Sequence, residues 1–122
     1  MAPLPAPDRP EQLIPLNPRV YAIMVAIADG PCHGYRIKQD VESRSQGLMQ
    51  LDPGSLYRAI AKLVRDGLIE EVPGPTDTGR GDARRRYYGL TPLGRGVGEA
   101  ETRRLNSLIG TRSARTFLRD AS

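Results

Sequence analysis

The chain has 122 residues, a net charge of +4 and a single cysteine. This length accommodates one domain with an accessory segment, and it excludes a barrel enzyme or a two-domain enzyme. One cysteine excludes an internal disulfide framework or a cysteine-rich zinc site and suits a reducing cytoplasm, where we expect the protein to act. We expect no signal peptide and no transmembrane helix, because no apolar run approaches the roughly twenty residues that span a bilayer.

The first 16 residues hold five of the eleven prolines. Because proline is excluded from the interior of regular helices and central strands, residues 1–16 are predicted to form an extended arm. Its end is expected to pack on the core through Leu13, Ile14 and Leu16. Asn17-Pro18 then matches a helix N-cap followed by proline at the first helical position. That first helix is apolar on almost every side and is therefore predicted to be central.

Two further helices are predicted, over residues 34–44 and 54–66, and the second of them again follows a cap and a proline, Asp52-Pro53. At 100° per residue, the apolar side chains of this third helix share one face. They are Leu56, Ala59, Ile60, Leu63 and Val64. The opposite face is small and basic, and it consists of Ser55, Arg58, Ala61, Lys62 and Arg65.

Residues 68–72 and 85–90 predict the two strands of a β-hairpin, joined by a long loop rich in glycine and proline. Four arginines lie on the loop and the returning strand: Arg80, Arg84, Arg85 and Arg86. Since side chains alternate along a strand, Arg84 and Arg86 are expected to share a face with Arg85 opposite. A cross-hairpin pair with Glu70 or Glu71 is an alternative for one of them.

Thr91-Pro92 predicts the start of a last helix that runs to about Leu118. Its apolar residues include Leu105, Leu108, Ile109 and Phe117. A single exposed helix carrying such residues has to bury them, so these four are predicted to form a dimer interface. The predicted organisation is therefore an arm over 1–16, a domain over 17–91, and a dimerisation helix with its tail over 92–122.

Three helices, a hairpin and a last helix are the order of a winged helix-turn-helix, so the predicted fold is mainly α with a β-hairpin and a C-terminal dimerisation helix. In that fold the third helix enters the major groove of double-stranded DNA, and the hairpin reaches a minor groove or the backbone. The predicted DNA contacts are Tyr35, Arg36, Lys38, Ser55, Tyr57, Arg58, Lys62, Arg80, Arg84 and Arg86. Arg58 is expected to read a guanine edge, and Ser55, Tyr57 and Lys62 to contact phosphate.

Four segments of the chain, in the same order, also resemble the PadR family of transcriptional regulators. Residues 29–35 resemble its GP-x-HGY segment, 53–59 its PGSLYRA helix start, 67–70 its GLIE segment and 86–94 its R-x-YYxLTxxG segment. The resemblance extends over about residues 16–98, and the single last helix is similar to that of the short subgroup. The chain lacks the tryptophan that some members of this subgroup use to stack a ligand.

The resemblance implies a homodimeric DNA-binding regulator, usually a repressor, that acts on a palindromic operator. It also implies a small aromatic or drug-like effector at the dimer interface, for which Tyr21 and Met24 are the candidate pocket residues, with core packing as the alternative. A winged-helix module that binds protein instead of DNA remains an alternative function.

No catalytic constellation, cofactor motif or metal-ligand cluster is recognisable, so we do not expect an enzyme. Cys32 next to His33 is interpreted as a structural cysteine, with a redox-sensing thiol as the alternative.

Overall fold

The computed structural model describes residues 9–74 and 85–119 of the chain. A 3-10 helix, Pro10–Gln12, precedes the regular elements. These are α1 (Pro18–Ala26), β1 (Cys32–His33), α2 (Gly34–Arg44), α3 (Pro53–Arg65), β2 (Ile69–Val72), β3 (Tyr87–Leu90), α4 (Pro92–Ile109) and α5 (Arg112–Arg119). This order is that of a winged helix-turn-helix, as predicted. None of the helices in the described ranges is both long and apolar enough to cross a membrane.

Three of the helices begin as the sequence predicts, with a polar cap followed by proline. The side chains of Asn17, Asp52 and Thr91 accept backbone N–H groups in the first turns of α1, α3 and α4. Such bonds satisfy donors that have no partner inside the helix, and proline loses nothing at a position where its missing N–H would be unpaired.

The core lies where α1, α2 and α3 meet the sheet and the first half of α4. Its fully buried members include Ile23, Ile37, Leu56 and Val97. The predicted apolar face of α3 is confirmed for Leu56, Ile60 and Leu63, which are all buried. Val64, which was assigned to the same face, is not buried with them, since its side chain is 42% exposed.

The sheet contains one strand that the sequence analysis missed. Among the described residues, β1 pairs with β3, and β3 pairs with β2, all antiparallel. The register places Cys32 opposite Tyr88 and His33 opposite Tyr87. A two-residue strand has no periodicity to recognise, and its pairing is visible only in three dimensions. The pairing of β1 with β3 attaches the start of α2 to the base of the hairpin.

The N-terminal segment is attached to α4. Leu13, Ile14 and Leu16 pack against the core as expected, although residues 10–12 form a turn of 3-10 helix where only extended chain was predicted. The backbone N–H of Leu16 donates to Glu101 Oε2 at 2.7 Å. Glu101 is 1% exposed and is paired with Arg104 at 2.5 Å. A buried carboxylate with these partners is satisfied, and it fixes the chain that precedes α1.

The prediction of one helix from Thr91 to Leu118 was wrong. The helix ends at Ile109, and α5 begins at Arg112. Gly110 caps α4, and the Thr111 hydroxyl accepts the N–H of Ala114 at 3.1 Å, as an N-cap does. Glycine is a weak helix former and threonine prefers the cap to the helix interior, so this pair of residues divides the segment.

The N-terminus of α4 lies directly against the chain that links α3 to β2. Thr91 donates its backbone N–H to Leu68 O at 3.1 Å and its hydroxyl to Gly67 O at 2.6 Å. A Cβ atom at Gly94 would lie 1.8 Å from Leu68 O, so no other residue fits at this position without moving the helix. Glycine is a weak helix former, but at this position packing requires it.

Candidate nucleic-acid interface

The outward face of α3 carries polar and basic side chains and is exposed from Arg58 to the end of the helix. Tyr57 is 55% exposed, and Arg58, Lys62 and Arg65 are exposed as well. Lys62 forms an i,i+4 pair with Asp66 at 2.8 Å, an acidic neighbour that the sequence analysis did not place on this face. Exposed pairs of this kind are weak, so the lysine remains able to exchange its partner for a phosphate.

A cleft of about 480 Å³ lies between the N-terminus of α2, the start of α3 and the base of the hairpin. It is lined by His33, Gly34, Tyr35, Tyr57, Arg85, Arg86 and Tyr88. The Tyr57 ring lies over the backbone of α2, since a Cβ at Gly34 would approach its hydroxyl oxygen to 3.3 Å. Tyr35 is 62% exposed beside it. Three tyrosines and two arginines therefore line a cleft at one helix N-terminus, the end of a helix that attracts anions.

His33 links α2 to the hairpin. Its Nδ1 accepts the N–H of Arg36 at 3.2 Å and thereby caps α2. Its Nε2 lies 3.1 Å from Arg85 Nη1, and its ring meets that of Tyr87 edge-on at 5.4 Å. The two ring nitrogens of His33 therefore lie against two donors, the backbone N–H of Arg36 in α2 and the guanidinium of Arg85 next to the hairpin.

The arginines of the hairpin are arranged differently from the prediction. Arg85 was expected on the face opposite Arg86, but both side chains line the cleft. Alternation applies only within a strand, and β3 begins at Tyr87, beyond both arginines. The cross-hairpin alternative is present, since Arg86 Nε lies 3.5 Å from Glu71 Oε1. The predicted contacts Arg80 and Arg84 lie outside the described residues.

The remaining predicted contacts lie on α2 and at the start of α3. Arg36 is exposed on the first turn of α2, whereas Lys38 is paired with Glu42 at 2.8 Å. That lysine holds the pKa of the Glu42 carboxyl below its ordinary value, mainly through the hydrogen bond between them. Ser55 is only half exposed, and its hydroxyl donates to Asp52 Oδ2 at 3.0 Å. In this structure the serine hydroxyl is thus bonded to the exposed cap residue of its own helix.

Cys32 has the environment of a structural cysteine. Its thiol points toward the carbonyl oxygens of Ala26 and Gly30, at 3.5 and 3.7 Å. Burial raises the pKa of the thiol, which keeps it protonated and poorly nucleophilic at neutral pH. No group of His, Cys, Asp and Glu residues that could hold a metal ion occurs within residues 9–74 and 85–119.

A second region of interest is the groove between α1 and α4. A cavity of about 560 Å³ is lined on one side by Tyr21, Met24 and Val25 and on the other by Gly98 and Thr102, among others. The Tyr21 hydroxyl and the Thr102 hydroxyl are 2.6 Å apart, which ties the two helices together across the groove. Met24 is only 2% exposed, so it contributes to the core as well as to the floor of the cavity.

The predicted interface residues continue from this groove toward the C-terminus. Leu105 is half-buried, whereas Leu108, Ile109 and Phe117 are 55%, 56% and 88% exposed. Leu118, which was not among the predicted interface residues, is 62% exposed as well. We call these exposed and half-buried apolar side chains of α4 and α5 the apolar strip.

Comparison with known proteins agrees with this geometry. The sequence model of the "Transcriptional regulator PadR-like family" matches residues 23–100. A 37.1 kDa protein of transposon Tn4556 from Streptomyces fradiae is 36% identical over 88 residues, and protein X of Lysinibacillus sphaericus is 29% identical over 73 residues. These matches span 72% and 60% of this chain, but only 23% and 64% of the two relatives.

Solved structures share the fold at low sequence identity. A PadR-like transcriptional regulator from Bacillus cereus superposes with a TM-score of 0.66 at 18% identity, covering 82% of this chain and 90% of its own. A transcriptional regulator from Clostridium thermocellum gives a TM-score of 0.61 at 20% identity, covering 85% and 90%. The fold and the basic face of α3 define a winged helix-turn-helix regulator. The chain belongs to the PadR-like family of transcriptional regulators, a family of regulators and not of enzymes.

Proposed function

We propose that this protein is a homodimeric transcriptional repressor that binds a palindromic DNA operator through α3 and the hairpin and is released by a small aromatic effector. The DNA-binding part of this proposal rests on two surfaces that adjoin each other. The exposed face of α3 and the cleft at the start of α2 meet at Tyr57, which belongs to both.

Each surface suits a different part of a DNA duplex. Arg58 and Lys62 lie on a helix face free to enter a major groove, where an arginine can bind guanine O6 and N7 together. The cleft offers hydroxyl and guanidinium donors from Tyr35, Tyr57, Arg85 and Arg86 around a helix N-terminus. Donors in this arrangement favour a phosphate of the adjoining backbone. For Arg80 and Arg84 we retain the sequence-based proposal of backbone contacts.

The dimer is proposed from the apolar strip on α4 and α5. Leu108, Ile109 and Phe117 are exposed and Leu105 is half-buried, and a second copy supplies the chemically matching partner. Leu108→Glu should reduce a dimer to monomers in sedimentation velocity measurements, because it would bury a charge at that contact. Leu48→Glu is the matched control, since Leu48 is 88% exposed in the link before α3 and should leave the assembly unchanged. Equal masses for both variants would contradict this interface.

The effector site is proposed for the cavity between α1 and α4, in which Tyr21 offers an aromatic ring and a hydroxyl. Gly98→Leu should fill this cavity without disturbing the core, because a Cβ at Gly98 meets only Met24 Cε at 3.9 Å. With the planar aromatic probe anilinonaphthalene sulfonate, we expect saturable fluorescence enhancement in the native protein and its loss in the variant. Enhancement of equal amplitude in both proteins would refute the site.

The DNA-binding proposal is tested by titrating a labelled duplex, taken from the region upstream of the protein's own gene, in a salt series. A scrambled duplex of equal length serves as competitor. We expect preference for the upstream duplex and an affinity that falls steeply with salt, because phosphate contacts release counterions. Weak binding to both duplexes, even at low salt, would refute DNA binding and favour the protein-interaction module.

Arg58→Ala and Arg65→Ala form a matched pair within that assay. Both remove one exposed guanidinium from the outer face of α3, and seven residues, or about 10 Å of helix, separate them. Arg58→Ala should reduce the preference for the upstream duplex over the scrambled one. Arg65→Ala, in the last turn of α3, should weaken binding to both duplexes alike. The same loss of discrimination in both variants would contradict the assignment of base recognition to Arg58.

A further inference from the structure

A small polar cluster at the start of α3 goes beyond the proposed contacts. The Ser55 hydroxyl donates to Asp52 Oδ2 at 3.0 Å, and Arg58 Nη2 donates to the same hydroxyl oxygen at 3.3 Å. A Cβ at Gly54 would lie 3.1 Å from Arg58 Nη1. The guanidinium is therefore folded back across the Gly54 backbone toward the helix N-terminus, and it does not extend freely into solvent.

Asp52 determines the direction of this hydrogen-bond chain. A serine hydroxyl has a single proton, and here the carboxylate accepts it, so the oxygen lone pairs of Ser55 are left facing Arg58. The other carboxylate oxygen accepts the backbone N–H of Ser55 at 2.8 Å. These two bonds from Ser55, with a smaller effect of the Arg58 charge, hold the pKa of Asp52 below its ordinary value. The aspartate is thus ionised at neutral pH and is more than a helix cap.

The carboxylate also changes what Arg58 can bind. An arginine without an acidic neighbour is attracted to any DNA phosphate, and such contacts carry no sequence information. With Asp52 in the cluster the local charge is balanced, and the carboxylate repels phosphate oxygens. The neutral acceptors of a guanine edge, O6 and N7, meet no such repulsion. A guanidinium that is already held also loses less rotational freedom when it binds.

On the basis of the proposed DNA binding, we infer that Asp52 is a specificity-determining residue. Through Ser55 it positions Arg58 to bind a guanine edge, and its negative charge disfavours binding of that arginine to backbone phosphates. Asp52 acts through Arg58 and makes no contact with DNA itself.

The test compares the full-length protein with Asp52→Asn, Asp52→Ser and Arg58→Ala. Asparagine and serine both cap helices well, so the fold is kept and is checked by thermal unfolding. In Asp52→Asn the amide N–H₂ donates to the Ser55 oxygen, which reverses the hydrogen bond that Ser55 donates in the native protein. In Asp52→Ser no group replaces the carboxylate oxygen that accepts from the Ser55 hydroxyl. The DNA probes are a duplex selected by the native protein from a random library, the same duplex with 7-deazaguanine replacing guanine, and a scrambled duplex.

We expect both Asp52 variants to bind the scrambled duplex roughly two- to fivefold more tightly than the native protein, because one repulsive charge is gone. Their preference for the selected duplex over its 7-deazaguanine form should fall by roughly tenfold or more, as for Arg58→Ala. Adding Asp52→Asn to Arg58→Ala should cause no further loss of preference. If either capping variant retains the native preference, Asp52 is only a cap and the inference is overturned. If the native protein selects no duplex from the library, DNA recognition itself fails, which is a distinct result.

Discussion

The contact between Gly94 and Leu68 allows a quantitative prediction about the attachment of α4. Gly94→Ala would place a methyl group 1.8 Å from Leu68 O, whereas real Cβ atoms essentially never lie within 3.0 Å of a non-bonded heavy atom. The carbonyl cannot turn away, because it accepts the N–H of Thr91. The helix has to move by more than an ångström, which breaks the two bonds from Thr91 to the chain before β2.

The expected cost follows from these terms. Overpacking of this kind costs about 1–3 kcal/mol, and each lost hydrogen bond about 1 kcal/mol. The higher helix propensity of alanine offsets about 1 kcal/mol. Gly94→Ala should therefore lower the free energy of unfolding by about 2–4 kcal/mol and the melting temperature by about 10 °C.

Gly98→Ala, one turn further along α4, is the matched control. Its methyl group would meet Met24 Cε at 3.9 Å, an ordinary contact, so it should stabilise the protein by about 0.5–1 kcal/mol. Thermal unfolding followed by circular dichroism at equal protein concentrations measures both variants. A melting temperature for Gly94→Ala at or above the native value would refute the close approach of α4 to Leu68.

Two further predictions concern pH and the cleft. The hydrogen bond from Arg104 is the main cause of the lowered pKa of Glu101. The ionised carboxylate therefore stabilises the fold above pH 4.5, the ordinary pKa of a glutamate, and this contribution is lost as the pH falls below that value. The difference in melting temperature between native protein and Glu101→Gln should therefore shrink from about pH 6 to pH 3, and a constant difference would contradict this. Gly34→Ala should push the Tyr57 ring aside, lowering DNA affinity between about two- and tenfold with little change in unfolding, because one phosphate hydrogen bond is lost. The matched change Gly30→Ala, where a Cβ meets no atom within 4 Å, should leave DNA binding as it is; equal affinities for all three proteins would show that the tyrosine is not a contact.

Local signals predicted most of the architecture. Each cap-and-proline pair marks a helix start with a defined chemistry, and the starts at Asn17, Asp52 and Thr91 are all observed. The apolar stripe of α3 likewise predicts which of its residues are buried, with Val64 as the exception. These features depend on residues a few positions apart, and the sequence displays such relations directly.

The features that were missed depend on distant or very short segments. The pairing of β1 with β3 joins positions that are more than fifty residues apart, and it brings His33 to Arg85. The wrong face for Arg85 came from assuming a strand two residues too early. The break after Ile109 was obscured because an apolar stripe continues on both sides of it. For the candidate interface, the sequence indicated the residue types and the helix face, but not the coupling of Ser55 to Asp52 and Arg58.

The attachment of α4 at Gly94 has a mechanical consequence. The helix has 18 residues and is about 27 Å long, and it is held at its first turn to the segment that follows α3. It therefore resembles a lever with its fulcrum at Leu68, next to the end of α3, and with Leu108 and Ile109 at the far end of the long arm. A tilt of about 10° at the fulcrum displaces that far end by about 5 Å. In the proposed dimer, small changes of packing between α1 and α4 would therefore be converted into large changes in the separation of the two copies of α3.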